Sequence, residues 1–476
     1  MTVKEFADIV IAEMPFDPTV QQRALIEALA RYCSAGTPSL SVFLINGYAG
    51  TGKTSVVGAL VRALSKAKRQ VVLLAPTGRA AKVLGTTAGR KAFTIHRKIY
   101  RAEAPGNVVA VAGVADNPHN GAVFIVDEAS MIGSSDNSTL LDDLCQYVYG
   151  GNDCRMILLG DSAQLPPVGC EESPAMSVDR LRSMGLRVSH ATLTQTVRQA
   201  SSSGILYNAT ALRRSMKLDP LQPTQLTVTP FSDVVTVQSE DLEDALSASY
   251  GTYGIDETIL ITRSNKRAME FNLAIRGRIL EKEEVLSRDE PVLIAKNNYY
   301  WTSRVKNPDG TPVRGADFIA NGDIATVSRI YGTEIRGMLR FADVELTFPD
   351  RDLIFDCKLI LNSLNAETAG LNPDQEQQLA QLALKDAGAD DATLTNPNAI
   401  ARILKADPYY NALRVKYAYA VTCHKAQGGQ WQSVFVDTGY IAPEALATLD
   451  LYRWLYTATT RATRLLSYIQ PSMPVR

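Results

Sequence analysis

Gly47-Tyr48-Ala49-Gly50-Thr51-Gly52-Lys53-Thr54 fits the pattern G-x-x-x-x-G-K-[ST], between an apolar run at 41–46 and a helical pattern at 55–67. A glycine-rich turn joining a buried strand to a helix aims backbone N–H groups at an anion, at the positive end of the helix. The pattern puts Gly47, Gly50, Thr51, Gly52 and Ser55 around a phosphate chain. It also expects Lys53 at the β- and γ-phosphates and the Thr54 hydroxyl on Mg²⁺. A glycine-rich turn with no ligand is the bland alternative, and the strand–turn–helix context disfavours it.

Working outward, short apolar runs at 41–46, 70–75, 122–126 and 155–159 read as buried parallel strands, with helical stretches at 55–67 and 79–84 between them. Repeated βα units imply a doubly wound α/β layer. A second such layer occurs in pieces: a strand at 258–262, a helix at 265–280, then 415–421, 433–437 and 449–460. The interval 282–408 breaks the rhythm. Runs at 291–295, 324–330, 338–341 and 344–348, with Asn-Gly and Pro-Asp-Gly turns, read as a small β module. The stretch 366–408 is polar, rich in Ala, Gln and Asp, and reads as a helical arm; a solvated arm is the simplest expectation. The segment 101–121 reads as a small hairpin inserted in the first layer.

Two polar insertions fall where buried strands end. Asp127-Glu128 follows the run 123–126, and adjacent carboxylates beside a phosphate-binding loop divide labour. Asp127 orders the Mg²⁺ shell, and Glu128 aligns and deprotonates an attacking water. Gly160-Asp161-Ser162-Ala163-Gln164-Leu165-Pro166-Pro167-Val168 follows the run 156–159. Its prolines remove backbone donors and fix the chain after a strand. Gln164 carries both a donor and an acceptor, as a γ-phosphate sensor needs, while Asp161 is expected to shape the turn. Arg198 and Arg461 are candidates for stabilising transition-state charge on the γ-phosphate. The chemistry so read is hydrolysis of ATP with Mg²⁺.

Composition bounds the rest. The 476 residues are 46% hydrophobic and 21% charged with a net charge of −1, so a global basic surface that coats nucleic acid is excluded, while a local groove is not. The length suggests several domains. Six cysteines form no C-x-x-C pair, so neither a zinc site nor an iron–sulfur cluster is expected. No run approaches a membrane span, and Met1-Thr2-Val3-Lys4-Glu5 lacks a signal-peptide layout; a cytoplasmic protein is the expectation.

The ordered set of motifs resembles superfamily 1 helicases, closest to the RecD/Dda branch. Besides those above, it includes Ala75-Pro76-Thr77-Gly78-Arg79-Ala80-Ala81, Val197-Arg198-Gln199, Thr422-Cys423-His424-Lys425-Ala426-Gln427-Gly428 and Thr459-Thr460-Arg461-Ala462. The resemblance runs over about residues 16–466 and implies an α/β fold of two RecA-like P-loop domains with ATP in the cleft between them. The first domain (1–195) would carry a small pin insertion at about 101–121. The second (196–281 and 409–476) would hold an inserted SH3-like β domain at 282–408, with the arm at 366–408. It further implies Gln21, or Gln22, as the adenine reader, Gln164 as γ-phosphate sensor, and Arg198 and Arg461 as arginine fingers. Thr77, His96, Asn265, Thr422, His424 and Gln427 match positions that contact DNA. Where relatives often carry an acidic residue a little beyond Gln427, this chain has Gln430-Trp431. Branch membership implies 5′→3′ movement on single-stranded DNA, action at single-strand/double-strand junctions, and roles in replication, repair or recombination. Phe93, Trp431 and Tyr456 are aromatics near those motifs on which bases could stack.

Three functions are weighed. The first is a stand-alone, monomeric ATP-driven DNA helicase. The second is a subunit of a recombination or nuclease assembly, docked through the 366–408 arm. The third is a nucleotide-gated switch or kinase, which leaves the motifs around His424 and Arg461 without a purpose.

Overall fold

The computed structural model describes residues 1–34, 36–100, 113–133, 140–195, 202–301, 319–349, 353–366 and 370–476. These form two compact units. The first joins Met1–Ile99, Val114–Ser239 and Ala426–Arg476; the second is built on Glu240–Lys425. Arg198 and residues 101–112 of the expected hairpin lie outside the described residues.

The first unit is organised by a parallel sheet of six strands: β1 (Ser41–Gly47), β2 (Val71–Ala75), β3 (Ala92–Thr94), β4 (Val123–Val126), β5 (Arg155–Gly160) and β6 (Arg187–Leu193). Their spatial order is β3-β2-β4-β5-β1-β6, so the strands bearing the three motifs, β4, β5 and β1, are neighbours in the middle. Continuous apolar sequence is what such a sheet demands, because helices cover both faces. Every residue of β4 and β5 is buried. Each large aliphatic side chain so removed from water is worth about 1.5–3 kcal/mol. The helices Val20–Tyr32 and Lys53–Lys66 supply Ile26, Leu29, Val57, Leu60 and Val61 to the core around Ile45, Ile125 and Ile157.

The four expected strands are present, and two more, β3 and β6, escaped the apolar-run criterion. β6 (RVSHATL) is polar and largely exposed because it is an edge strand paired on one side only. In the same unit Val234–Val237, Ala462–Ile469 and Trp431–Asp437 lie side by side in parallel, and the helix Leu449–Thr459 is buried along most of its length.

In the second unit Thr258–Thr262 pairs in parallel with Ala420–Thr422. The expected strand 415–421 is in fact two. Leu413–Tyr417 belongs to a closed barrel, and only Ala420–Thr422 joins the parallel pair. The barrel runs Ile324–Arg336, Leu339–Phe348, Leu353–Ile360, Leu413–Tyr417 and Pro291–Ile294 before closing on the first. The runs 338–341 and 344–348, expected as separate strands, are one strand. The turn comes earlier, where Gly337 takes φ +63 between the paired residues Arg336 and Leu339.

The arm is helical, with Pro373–Asp386 and Pro397–Ala406 its main helices. It is not solvated as expected: Leu379 packs with Leu339, Phe341 and Ile360 of the barrel. Arg414–Glu376 and Arg336–Asp386, both 2.7 Å, fasten it at two further points. The arm's polar composition conceals one narrow apolar stripe, which is enough to dock it.

Candidate active site

The loop Gly47–Thr54 leaves β1 and turns into the helix Lys53–Lys66 through two left-handed glycines, Gly50 (φ +73) and Gly52 (φ +76). A side chain at Gly50 would also meet the Leu206 side chain at 2.9 Å. The left-handed φ is what calls for glycine there, since the Leu206 tip can shift to relieve the contact. Lys53 folds back so that its ammonium donates to the carbonyls of Gly47 and, at 3.3 Å, Tyr48. Thr54 and Ser55 open the helix, half-buried, and Thr51 is fully buried, its hydroxyl donating to the Tyr48 carbonyl at 2.7 Å. Behind the loop, the buried Gln22 donates to the Thr51 carbonyl at 2.9 Å. Its neighbour Gln21 turns away: its Oε1 accepts from the Thr194 and Gln195 amides, both at 2.9 Å. The two glutamines thus divide into a support of the loop and a clip on the segment after β6.

Asp127 and Glu128 stand at the end of β4. The Asp127 carboxylate accepts the Glu128 amide at 2.8 Å. Burial, with the Glu128 charge beside it, pushes the Asp127 pKa up to about 6, against the pull of that amide and of Lys53. Glu128 holds φ +52, a left-handed conformation that non-glycine residues rarely adopt. Strain of this kind persists where the surrounding structure imposes it and tends to collect at functional positions.

At the end of β5, Asp161 is buried and shapes its turn by accepting the Ala163 amide at 3.0 Å. Gln164 is buried too, and its Oε1 has no hydrogen-bond partner; the Ser130 hydroxyl, just past Glu128, is likewise buried and unpaired. Both line one small cavity with Asp161, Leu165 and Arg453. Buried orphan acceptors cost about 1–3 kcal/mol each, so their survival points to a partner from outside the chain.

Arg461 is buried and fully engaged: its guanidinium donates to the carbonyls of Thr457 (3.0 Å) and Gly429 (3.1 Å) and to the Thr460 hydroxyl (3.1 Å). In this conformation it braces its own helix end. Gln427, also buried, donates to the Leu165 carbonyl at 2.7 Å. Thr77 caps the helix Gly78–Ala88, and Gly428 (φ +72) comes so near that a Cβ there would lie 3.1 Å from the Thr77 hydroxyl. His96 is half-buried in the short helix Ile95–Ile99. Close by, the Phe93 ring lies within 5.2–5.8 Å of Arg97, Lys91 and Lys98, an aromatic face ringed by positive charge. Trp431 and Tyr456, the other aromatics singled out in the sequence, are buried. The Trp431 ring is covered by the Arg79 guanidinium 4.0 Å away. In the second unit Asn265 is exposed at the start of its helix, Thr422 is half-buried and His424 is exposed, with Lys425 beside it bonded to Asn321.

The fold therefore brings Lys53, Asp127, Glu128 and Gln164 to the carboxyl ends of three adjacent strands, the edge of a parallel sheet where ligands bind. Among the described residues no cluster of three His, Cys, Asp or Glu side chains could by itself hold a metal ion. Thr54 and Asp127 fit an ion that takes most of its ligands from phosphate and water. Sequence reasoning missed Ser130, the structural share of Gln22, and the contacts of Tyr456 and Thr457; only a three-dimensional pairing reveals them.

Comparison with known proteins gives two domain matches: an AAA domain over residues 19–222 and a UvrD-like helicase C-terminal domain over 417–468. The ATP-dependent RecD2 DNA helicase of Deinococcus radiodurans is 32% identical over 172 residues, 36% of this chain and 21% of its own. The ATP-dependent DNA helicase dda of Enterobacteria phage T4 is 34% identical over 134 residues, 28% of this chain and 29% of its own. The chain thus spans less than a third of the length of either helicase. An uncharacterised protein of Acanthamoeba polyphaga mimivirus, R530, is 21% identical over 90% of this chain and 95% of its own. A crystal structure of Pif1 helicase from Bacteroides with ADP-AlF3 and single-stranded DNA aligns over 96% of this chain and 93% of its own, at 14% identity and TM-score 0.47. No helix among the described residues is long and apolar enough to cross a membrane.

Proposed function

We propose that this chain, which is similar to helicases of the RecD2 and Dda type, is an ATP-dependent DNA helicase of superfamily 1. It moves 5′→3′ on single-stranded DNA and opens duplexes at junctions, in replication, repair or recombination. The observation that carries this reading is the grouping of Lys53, Asp127, Glu128 and Gln164 at three neighbouring strand ends, with the Gln164 acceptor buried and unpartnered.

On this reading the amides of the Gly47–Thr54 loop take the phosphates, Lys53 leaves the Gly47 and Tyr48 carbonyls for the γ-phosphate, and Gln21 reads the adenine. Thr54 and Asp127 would hold Mg²⁺, which when bound would supply positive charge beside the phosphates. Glu128 orients and deprotonates the attacking water, and Gln164 senses the γ-phosphate. Arg198 and Arg461 supply positive charge in the transition state; for Arg461 this requires release from the Thr457 and Gly429 carbonyls. Thr77, His96, Asn265, Thr422, His424 and Gln427 grip the DNA strand, and Phe93 offers a stacking face framed by cations.

We further assign 1–195 to a first RecA-like domain with a pin at about 101–121, and 196–281 with 409–476 to a second. The segment 282–408, which supplies the arm and every barrel strand but Leu413–Tyr417, is assigned to an SH3-like insertion. The protein works as a cytoplasmic monomer. If it docks a partner protein, the helix Pro397–Ala406, none of whose residues is buried, is the open part of the arm.

The test is steady-state ATP hydrolysis with and without single-stranded DNA, and unwinding of duplexes with 5′ or 3′ tails. Stimulation by DNA and opening of the 5′-tailed substrate alone are expected, both abolished by Lys53→Ala. Hydrolysis indifferent to DNA, or equal use of both tails, would overturn the reading.

A further inference from the structure

The hydroxyl of Tyr456 lies between two of the motifs at the nucleotide site. It accepts the amide of Ala49, inside the phosphate-binding loop, at 2.8 Å, and donates to Asp161 Oδ2 at 2.6 Å. Both Tyr456 and Asp161 are buried. Burial and the Asp161 carboxylate drive the tyrosine pKa upward, so the hydroxyl keeps its proton and its donor role. One residue further on, the Thr457 hydroxyl accepts the Leu165 amide at 2.8 Å, and the Leu165 carbonyl accepts Gln427 at 2.7 Å. The Thr457 carbonyl in turn accepts Arg461. The loop, the turn after β5, Gln427 and Arg461 are thus joined by consecutive hydrogen bonds through one helical step, Tyr456-Thr457.

Nothing in packing requires this arrangement. A phenylalanine would fill the same volume, and a buried carboxylate is costly unless paired. A tyrosine satisfying Asp161 with one side of its hydroxyl and a loop amide with the other ties the conformation of the loop to that of the turn carrying Gln164. We propose that Tyr456 is a positioning residue for the DNA-stimulated step of ATP hydrolysis, and not for the basal one: it passes the state of the Gly47–Thr54 loop to the Gly160–Val168 turn through Asp161. This rests on the reading of that loop as the ATP site. Because the hydroxyl oxygen accepts from Ala49 while its proton is given to Asp161, a shift of the loop that draws the tyrosine with Ala49 weakens the bond to Asp161, and the turn responds.

The experiment is a double-mutant cycle on the full chain with Tyr456→Phe, Asp161→Ala and the pair. It reads kcat and KM for ATP with and without oligo-dT, ADP affinity by calorimetry, and thermal unfolding. Each single change should lower the oligo-dT-stimulated kcat about tenfold, as loss of one charge-assisted hydrogen bond allows, while hydrolysis without DNA stays within about twofold. The pair should be no worse than the poorer single variant. Losses that multiply to about a hundredfold overturn the proposal. So does a lowered unfolding temperature with unchanged DNA stimulation, which marks a merely structural bond. Should Tyr456→Phe fail to fold, Asp161→Ala decides alone: unchanged stimulation at unchanged ADP affinity overturns the proposal. A wild-type chain that neither binds ADP nor hydrolyses ATP overturns the functional reading itself, an outcome distinct from a wild-type ATPase indifferent to the Tyr456 hydroxyl.

Discussion

Two of the buried polar clusters in the molecule are treated in opposite ways. In the second unit Glu290 is fully buried and every valence is met. Its Oε1 accepts Arg276 and, at 3.1 Å, the Tyr419 hydroxyl; its Oε2 accepts the Ser287 amide at 2.9 Å. Arg276 also donates to the Glu284 carbonyl and stacks 4.3 Å from the Tyr417 ring. At the strand ends of the first unit, Gln164 Oε1 and the Ser130 hydroxyl are buried with no partner, Asp127 has a raised pKa, and Glu128 is held in a strained conformation. A network satisfied from within the chain belongs to the architecture, whereas one left incomplete is built for something that arrives.

The contrast breaks if removal of a strand-end group leaves chemistry intact. Glu128→Gln should lower DNA-stimulated ATP turnover by at least about a hundredfold, the span of a lost general base, with ADP binding preserved by calorimetry. Retained turnover would mean that the water is activated elsewhere.

The same contrast sharpens with a change at the satisfied site. Arg276→Met leaves Glu290 buried without its cation and should cost about 3–5 kcal/mol of stability, read by urea unfolding. Turnover per folded molecule should not change. Arg276→Met combined with Glu290→Leu should recover most of the loss, since an apolar pair of similar volume replaces a desolvated one. A variant that loses turnover but not stability would move this cluster into the functional category.

Between these extremes lies Gln164→Ala. Removing a buried acceptor that has no partner relieves its desolvation cost, while truncating the side chain gives up packed methylenes; the two oppose each other, so unfolding should shift little. Nucleotide affinity should stay within about threefold, while base pairs opened per ATP hydrolysed fall about tenfold. Unchanged unwinding would strip Gln164 of its sensing role.

How much of this was legible in the sequence follows from the range of the interactions. The phosphate loop, Asp127-Glu128 and the Gly160–Val168 turn could be read because their chemistry is local: residue type, spacing, and a strand that ends. β4 and β5 could be read because strands buried on both faces are apolar throughout. β6 could not, since an edge strand carries polar residues, and neither could the break within 413–422, where the chain passes from the barrel to the parallel pair without a composition change. Docking of the arm depended on Leu379 among mostly polar neighbours. The hydroxyl shared by Ala49 and Asp161 joins residues up to 407 apart in sequence, and no spacing rule reaches so far.

The smallest expected effect tests the electrostatic half of the contrast. Asp127 titrates near 6 in the folded chain, against about 3.9 for an unperturbed aspartate. A carboxyl raised on folding favours the folded state while protonated, and that contribution is lost as pH climbs through 6. Above that, wild type bears a desolvated charge beside Glu128 and Asp127→Asn does not. Without nucleotide, the variant should gain stability of order 1 kcal/mol over wild type at pH 8, a gain that shrinks toward zero by about pH 4, where wild-type Asp127 is itself neutral. Thermal unfolding at the two pH values reads it directly. Equal gain at both would show that the asparagine stabilises by packing, and that Asp127 is as comfortable in its place as Glu290 is in its own.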